Sequence, residues 1–201
     1  MRPSRHAILG ALAMLVLAVT EATAYDPAEV WTKGSWLLSF EGAYGSQINP
    51  QNKGTTTGVE FVMAGLRLSL LPLGITGGES VFKGALELGL EPVYLHYLHP
   101  DGAYYAGLAA VLRYNFLSLG RFVPYIEGLG AAGGTNLRIS EIDSSFSFLL
   151  QGGVGASYFI TDTTALYAGW RWTHNSNGNT DRPNRGWEAS TGVIGVSIFL
   201  K

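Results

Sequence analysis

From residue 36 onward the side chains alternate, apolar then polar or small, in short segments parted by turn residues, and period 2 is far commoner than period 3.6. Such a chain must build sheets with two unlike faces. In segment 36–44, Trp36, Leu38, Phe40 and Tyr44 share one face while Ser39, Glu41 and Ala43 share the other. Segment 59–70 is less regular, because Glu60 and Arg67 fall on opposite faces, and its flanks assign it as a strand. In 81–97, Phe82, Leu86, Leu88, Leu90 and Tyr94 oppose Lys83, Ala85, Glu87, Gly89 and Glu91. Segments 104–116, 122–135, 143–158, 164–174 and 187–200 follow, which brings the strands to eight, the smallest number seen in membrane barrels.

The start of the chain is different. Arg2, Arg5 and His6 precede an apolar run over 7–19, interrupted only by Gly10, and Ala22-Thr23-Ala24 offers a small-x-small cleavage site. The run is shorter than the about 20 residues that a spanning helix needs, so residues 1–24 read as a removed secretory signal and 25–201 as one barrel domain. The chain has no cysteine, which excludes disulfides and thiolate metal sites, and its net charge of -2 gives no sign of nucleic-acid binding. Only 14% of residues are charged, against about a quarter in soluble domains, beside 27 glycines and 12% aromatics.

Export, no spanning helix and eight two-faced strands together predict an all-β fold, an eight-stranded antiparallel transmembrane β-barrel. In lipid every backbone polar group must be paired within the protein, and a closed barrel does this because it has no edge. The links after the first, third, fifth and seventh segments include the long polar ones, and those after the fourth and sixth are tight, as in barrels with external loops and short periplasmic turns. Tyr44, Tyr94, Tyr97, Tyr104, Tyr158 and Trp187 are expected as interfacial girdles. Inward glycines would relieve crowding, and Lys83, Glu87, Glu91, Arg113, Glu127 and Arg171 would form a paired network inside. A soluble lipocalin-like barrel or sandwich would instead carry its polar face outside.

Chemistry concentrates in residues 171–188, where a histidine, a serine two positions later and a glutamate twelve beyond that supply a base, a nucleophile and an orienting carboxylate. In the seventh strand His174 lies on the apolar face with Trp170 and Trp172. If the strand runs two residues further, Ser176 joins that face, about 6.6 Å along. Glu188 starts the greasy face of the eighth strand, antiparallel to the seventh, so it can approach His174 at the barrel rim. Ionisable groups facing lipid are costly and mark functional sites, although a set of groups solvating a headgroup-level loop has the same spacing.

His174-Asn175-Ser176-Asn177, followed by Pro183-Asn184-Arg185-Gly186-Trp187-Glu188, resembles the His-x-Ser-Asn and Pro-Asn-x-Gly-x-Glu signature of the PagL family of outer-membrane lipid A 3-O-deacylases. The resemblance implies an eight-stranded membrane barrel with Ser176 as nucleophile, His174 as general base and Glu188 as the carboxylate that holds the imidazole. It implies an oxyanion contact for Asn184, a partner backbone N–H near Asn179, and loop structure or substrate contact for Asn177. A glycine can stand in the family where this chain has Asn179, and many outer-membrane barrels end in an aromatic, whereas here Phe199 is followed by Leu200 and Lys201. Lipid A or lipopolysaccharide would be the substrate, in the external leaflet of an outer membrane and among its lipids, with no cofactor and no metal; a homodimer is left open.

Two other signals carry less. Residues 128–133 fit G-x-G-x-x-G, but no amphipathic helix follows and no βαβ pattern exists, so they read as a glycine-rich strand. His96 and His99 near Asp101 sit at a loop end, where an exposed histidine is the simpler reading than a metal ligand. A deacylase, a non-catalytic barrel for adhesion or envelope integrity, and a soluble secreted hydrolase or binding barrel are the readings carried forward.

Overall fold

A computed structural model describes residues 25–49 and 56–200. The expected leader, residues 1–24, lies outside the described residues. Eight long strands follow the alternation: β1 (Trp36–Gln47), β2 (Glu60–Leu70), β3 (Gly84–His99), β4 (Tyr104–Phe116), β5 (Phe122–Thr135), β6 (Phe146–Phe159), β7 (Thr164–Ser176) and β8 (Trp187–Leu200). Each pairs antiparallel with the next, and β8 pairs back onto β1, so the sheet closes. No helix among the described residues is long and apolar enough to cross a membrane; the strands cross instead.

Several ends differ from the sequence reading. The third strand begins at Gly84 rather than at 81, because the Ser80 carbonyl accepts the Lys83 N–H at 2.9 Å and closes a turn there. The sixth begins at Phe146 because Asp143 instead bridges to Arg138. Link lengths follow the expected asymmetry only in part: 48–59, 136–145 and 177–186 are long and share one end of the barrel, but 100–103 at that end is tight. At the opposite end, where β1 starts, link 71–83 is long and holds a two-residue strand, Ile75–Thr76, paired with Gly84 and Ala85.

The outer face is a continuous apolar band, with Leu90 58% exposed, Leu108 54% and Ile194 69%, the inverse of a soluble barrel. Tyr44, Tyr94, Tyr104 and Tyr158 are on it. Tyr97 and Trp187, expected in the girdles, are fully buried inside, where Trp187 packs on Phe61 at 5.7 Å and on Tyr97 at 6.1 Å between ring centroids. Parity explains both: Tyr97 shares the face of Glu87 and Glu91, and Trp187 is one residue out of phase with Glu188.

Mid-barrel, the inward residues are charged and paired. Arg67 Nε donates to Glu91 at 2.6 Å and its Nη2 to Glu41 at 3.0 Å. Arg171 Nε donates to Glu127 at 2.8 Å and its Nη2 to Glu41 at 2.8 Å, while Arg113 Nη2 reaches Glu127 at 2.8 Å. Ions so buried are tolerable only when paired and hydrogen-bonded. Lys83, expected in this network, instead sits in link 71–83 beside Glu79 at 3.3 Å; Glu41 and Arg67 complete the lattice. Inward glycines make room for the large rings: a Cβ at Gly155 would lie 2.4 Å from Tyr125, and one at Gly195 2.3 Å from Tyr167.

The end where the chain enters is stopped. Asp26 caps a single helical turn, α1 (Pro27–Val30), by accepting the Ala28 N–H at 2.9 Å. That turn lays Val30 and Trp31 across the bore against Leu37, Leu71, Phe159 and Phe199. Trp31 Nε1 donates to the Tyr25 hydroxyl at 2.6 Å, and burial pushes that hydroxyl's pKa up to about 12.

Candidate active site

β7 runs to Ser176, two residues past the segment first assigned. In the β7–β8 register His174 stands directly opposite Glu188, a cross-strand pair whose side chains share a face. His174 Nδ1 lies 3.4 Å from Glu188 Oε1, with both side chains half-buried. The imidazole stacks on the outward indole of Trp172, 5.8 Å between centroids and 16° apart. Gly186 abuts it from the loop: a Cβ there would come within 2.9 Å of His174 Cε1 and 3.4 Å of Nε2. With Nδ1 turned to the carboxylate, Nε2 is the nitrogen left for proton exchange.

Ser176 is the last residue of β7, half-buried and opposite Phe148. It sits one alternation step beyond His174 on the same outward side. Among the described residues no hydrogen bond joins its hydroxyl to His174. Histidine and glutamate are therefore brought into contact, and the serine is held within one strand step of them.

The three asparagines are tied together in link 177–186. Asn177 is wholly buried: its N–H donates to Asn184 Oδ1 at 2.9 Å, its Nδ2 to the Asp181 carbonyl at 3.0 Å, and its Oδ1 accepts the Asn179 N–H at 3.0 Å. Asn184 Nδ2 donates to Asn179 Oδ1 at 3.0 Å. Asn179 has φ 63, the left-handed region that suits glycine and that asparagine tolerates best among other residues. The Asn179 N–H is engaged with Asn177 within the loop, whereas the Asn184 amide group has a second N–H.

Further residues support this corner, most of them with no local signal in the sequence. The Glu188 N–H donates to Asn49 Oδ1 at 2.7 Å, and the Glu188 carbonyl accepts the Ile48 N–H at 2.8 Å. Glu141, buried in link 136–145, accepts from Thr57 N at 2.7 Å, Thr57 Oγ1 at 2.6 Å, Gln47 Nε2 at 3.1 Å and Ser140 Oγ at 2.9 Å. Its burial pushes the carboxyl pKa up, but these bonds outweigh that and hold it down at about 2. The Glu141 carbonyl accepts the N–H groups of Arg185 at 2.8 Å and Gly186 at 3.2 Å. Only Gly186 had a local signal, its place in the Pro-Asn-x-Gly-x-Glu run; Trp172 had none beyond sharing the face of His174.

A family model described as lipid A 3-O-deacylase (PagL) matches residues 22–197. The chain belongs to the PagL family. No curated protein matches it significantly. It is similar to the crystal structure of the outer membrane enzyme PagL, with a TM-score of 0.58 at 19% identity, over 78% of this chain and 97% of that one. It is also similar to the structure of Neisserial surface protein A, with a TM-score of 0.55 at 16% identity, over 83% of this chain and 99% of that one. Both likenesses are of fold, the closed membrane barrel. The PagL match spans β1 through most of β8 and therefore takes in the histidine, the serine and the glutamate alike.

The remaining sequence signals fall away from this corner. His96 and His99 are exposed, and the glycine-rich run 128–133 lies within β5 with no helix after it. No group of three or more His, Cys, Asp or Glu able to hold a metal occurs among the described residues.

Proposed function

We propose that this PagL-family chain is an outer-membrane serine esterase that removes the acyl chain ester-linked at the 3-position of lipid A, working at the external leaflet. The observation that carries the reading is the His174–Glu188 contact at a half-buried rim directly above an apolar, lipid-facing band. A base and its carboxylate in that place suit a substrate whose reacting bond sits between headgroup and hydrocarbon.

In this reading His174 Nε2 takes the Ser176 hydroxyl proton as the oxygen attacks the ester carbonyl, and Glu188 stabilises the imidazolium. Collapse of the tetrahedral adduct expels the sugar hydroxyl, which receives the proton from His174. Water, activated by the same histidine, then hydrolyses the acyl-serine to the free fatty acid. The serine–histidine bond forms as substrate closes the site, since hydrogen bonds of this kind are often long before substrate arrives. The free N–H of Asn184 supplies an oxyanion donor, a contribution of about 3 to 4 kcal/mol in comparable hydrolases.

The test is mass spectrometry of lipid A after incubation with the purified protein in detergent. Loss of one 3-linked acyl chain is expected, and Ser176→Ala and His174→Ala should each abolish it while the barrel still shows heat-modifiable mobility on gels. Unchanged lipid A with folded wild-type protein would favour a non-catalytic envelope barrel, and full activity in both variants would remove the triad.

A further inference from the structure

We propose that Glu141 is a positioning residue for this site: it fastens segments 47–49, 57–59 and 177–186 into one frame that seats Gly186 against His174 and holds Glu188 opposite it. Glu141 is itself on none of them. Its carboxylate ties Thr57 and Gln47, so it grips segment 57–59 and the last residue of β1. Its carbonyl ties the Arg185 and Gly186 N–H groups, so it grips the segment whose glycine touches the imidazole. Ile48 and Asn49, which follow Gln47 in the chain, close the circuit, because Asn49 and Ile48 hold the Glu188 backbone by its N–H and its carbonyl. Gln47 braces the frame from inside, since its Oε1 accepts the Gly58 and Val59 N–H groups, each at 2.7 Å.

Several features mark this as more than loop packing. A carboxylate that is almost wholly buried and accepts four hydrogen bonds is costly to assemble, and strand pairing does not need it. No hydrogen bond or ion pair joins Glu141 to His174, Ser176 or Glu188 among the described residues, so it acts through the chain. Two of the segments it joins end against a member of the His174–Glu188 pair: Asn49 on the Glu188 backbone and Gly186 beside the imidazole. Among the described residues the carboxylate faces no Lys or Arg ion-pair partner; its partners are Thr57, Gln47 and Ser140, and Arg185 reaches Ser140 rather than Glu141.

The role in catalysis rests on the esterase reading; the frame itself does not, and the experiment separates them. Full-length protein in detergent micelles is compared with Glu141→Ala, Glu141→Gln and Thr57→Val in two measurements. The first is exchange of the Arg185 and Gly186 amides by NMR, and the second is kcat and KM for lipid A deacylation, normalised to the heat-modifiable fraction. Glu141→Ala should speed both amides' exchange at least about 10-fold and lower kcat by about 10- to 100-fold with KM within about two-fold, since misplacement of catalytic groups by an ångström costs on that order. Glu141→Gln, which keeps an acceptor for Thr57, should recover most of kcat, and Thr57→Val, which removes one donor, should fall between.

Unchanged exchange in Glu141→Ala overturns the frame. Faster exchange with wild-type kcat overturns the positioning role, as does a fall in KM and kcat together that Glu141→Gln does not rescue. Should Glu141→Ala fail to fold, Thr57→Val answers both questions. Wild-type protein that leaves lipid A intact overturns the esterase reading and the catalytic part of this one, and the exchange data still decide whether the frame exists.

Discussion

At the scale of single residues, His174 is held by three unlike contacts: a carboxylate at Nδ1, an indole along its face, and a glycine at its Cε1 edge. Each makes its own prediction. On the proposed esterase reading, Glu188→Gln keeps the shape and removes the charge that orients the ring, and kcat should fall by about 10⁴-fold, as it does when a Ser-His-Asp triad loses its carboxylate. Gly186 has φ 68, and a Cβ there would also meet the Asn175 carbonyl at 2.9 Å. Gly186→Ala should therefore cost about 1 kcal/mol in thermal stability and lower kcat by roughly 10-fold or more, because the ring must move. Steady-state kinetics on lipid A and thermal melts in detergent check both; wild-type kcat in Gly186→Ala would show that the glycine contact does not seat the imidazole.

At the scale of elements, the β7–β8 hairpin and its link carry the site, and the alternation in the sequence was enough to put His174 and Glu188 on one face of neighbouring strands. What it could not supply was the support from elsewhere in the chain. Glu141 meets Thr57 and Gln47 across 84 and 94 residues, and Asn49 meets Glu188 across 139. No local period reports such pairs, because links have none. The same limit misplaced Lys83, whose strand parity is right but whose residue falls in a turn before the strand begins. Glu141 also gives the site a pH signature. Its pKa of about 2 lies below the about 4.3 of an unfolded glutamate, so the stability it contributes is whole above about pH 4.3 and is lost as the pH falls towards 2. The melting temperature of the protein should exceed that of Glu141→Gln at neutral pH, and the gap should close on acidification between those two values. A gap that persists unchanged to pH 2 would mean that the ionised carboxylate is not what holds the links.

Over the whole molecule, the barrel is organised as layers along its bore: an apolar stopper where the chain enters, the Arg–Glu lattice in the middle, and the Phe61, Tyr97 and Trp187 rings below the site. The strand count and the inside-polar, outside-greasy sense are legible because each strand repeats the same signal; Tyr97 and Trp187 depart from the expected girdles because the same parity turns both inward. Arg171 joins Glu41 and Glu127, so Arg171→Met should destabilise the barrel by about 3 to 5 kcal/mol by leaving the buried lattice one cation short. Urea unfolding in lipid vesicles measures this, and a loss below about 1 kcal/mol would show that Arg67 and Arg113 re-pair the lattice unaided.

The turn that lays Trp31 across the bore has an electrical consequence. With indole and phenyl rings over one mouth, ion pairs across the waist and three more rings at the far end, an ion would have to pass three successive obstructions, so the protein should be an insulator. Inserted in a planar bilayer it should leave the baseline current flat at any modest voltage, and Trp31→Ala should do the same, because the lattice behind it still blocks the path. An enzyme of this build can sit in a permeability barrier and work on its lipids without short-circuiting it.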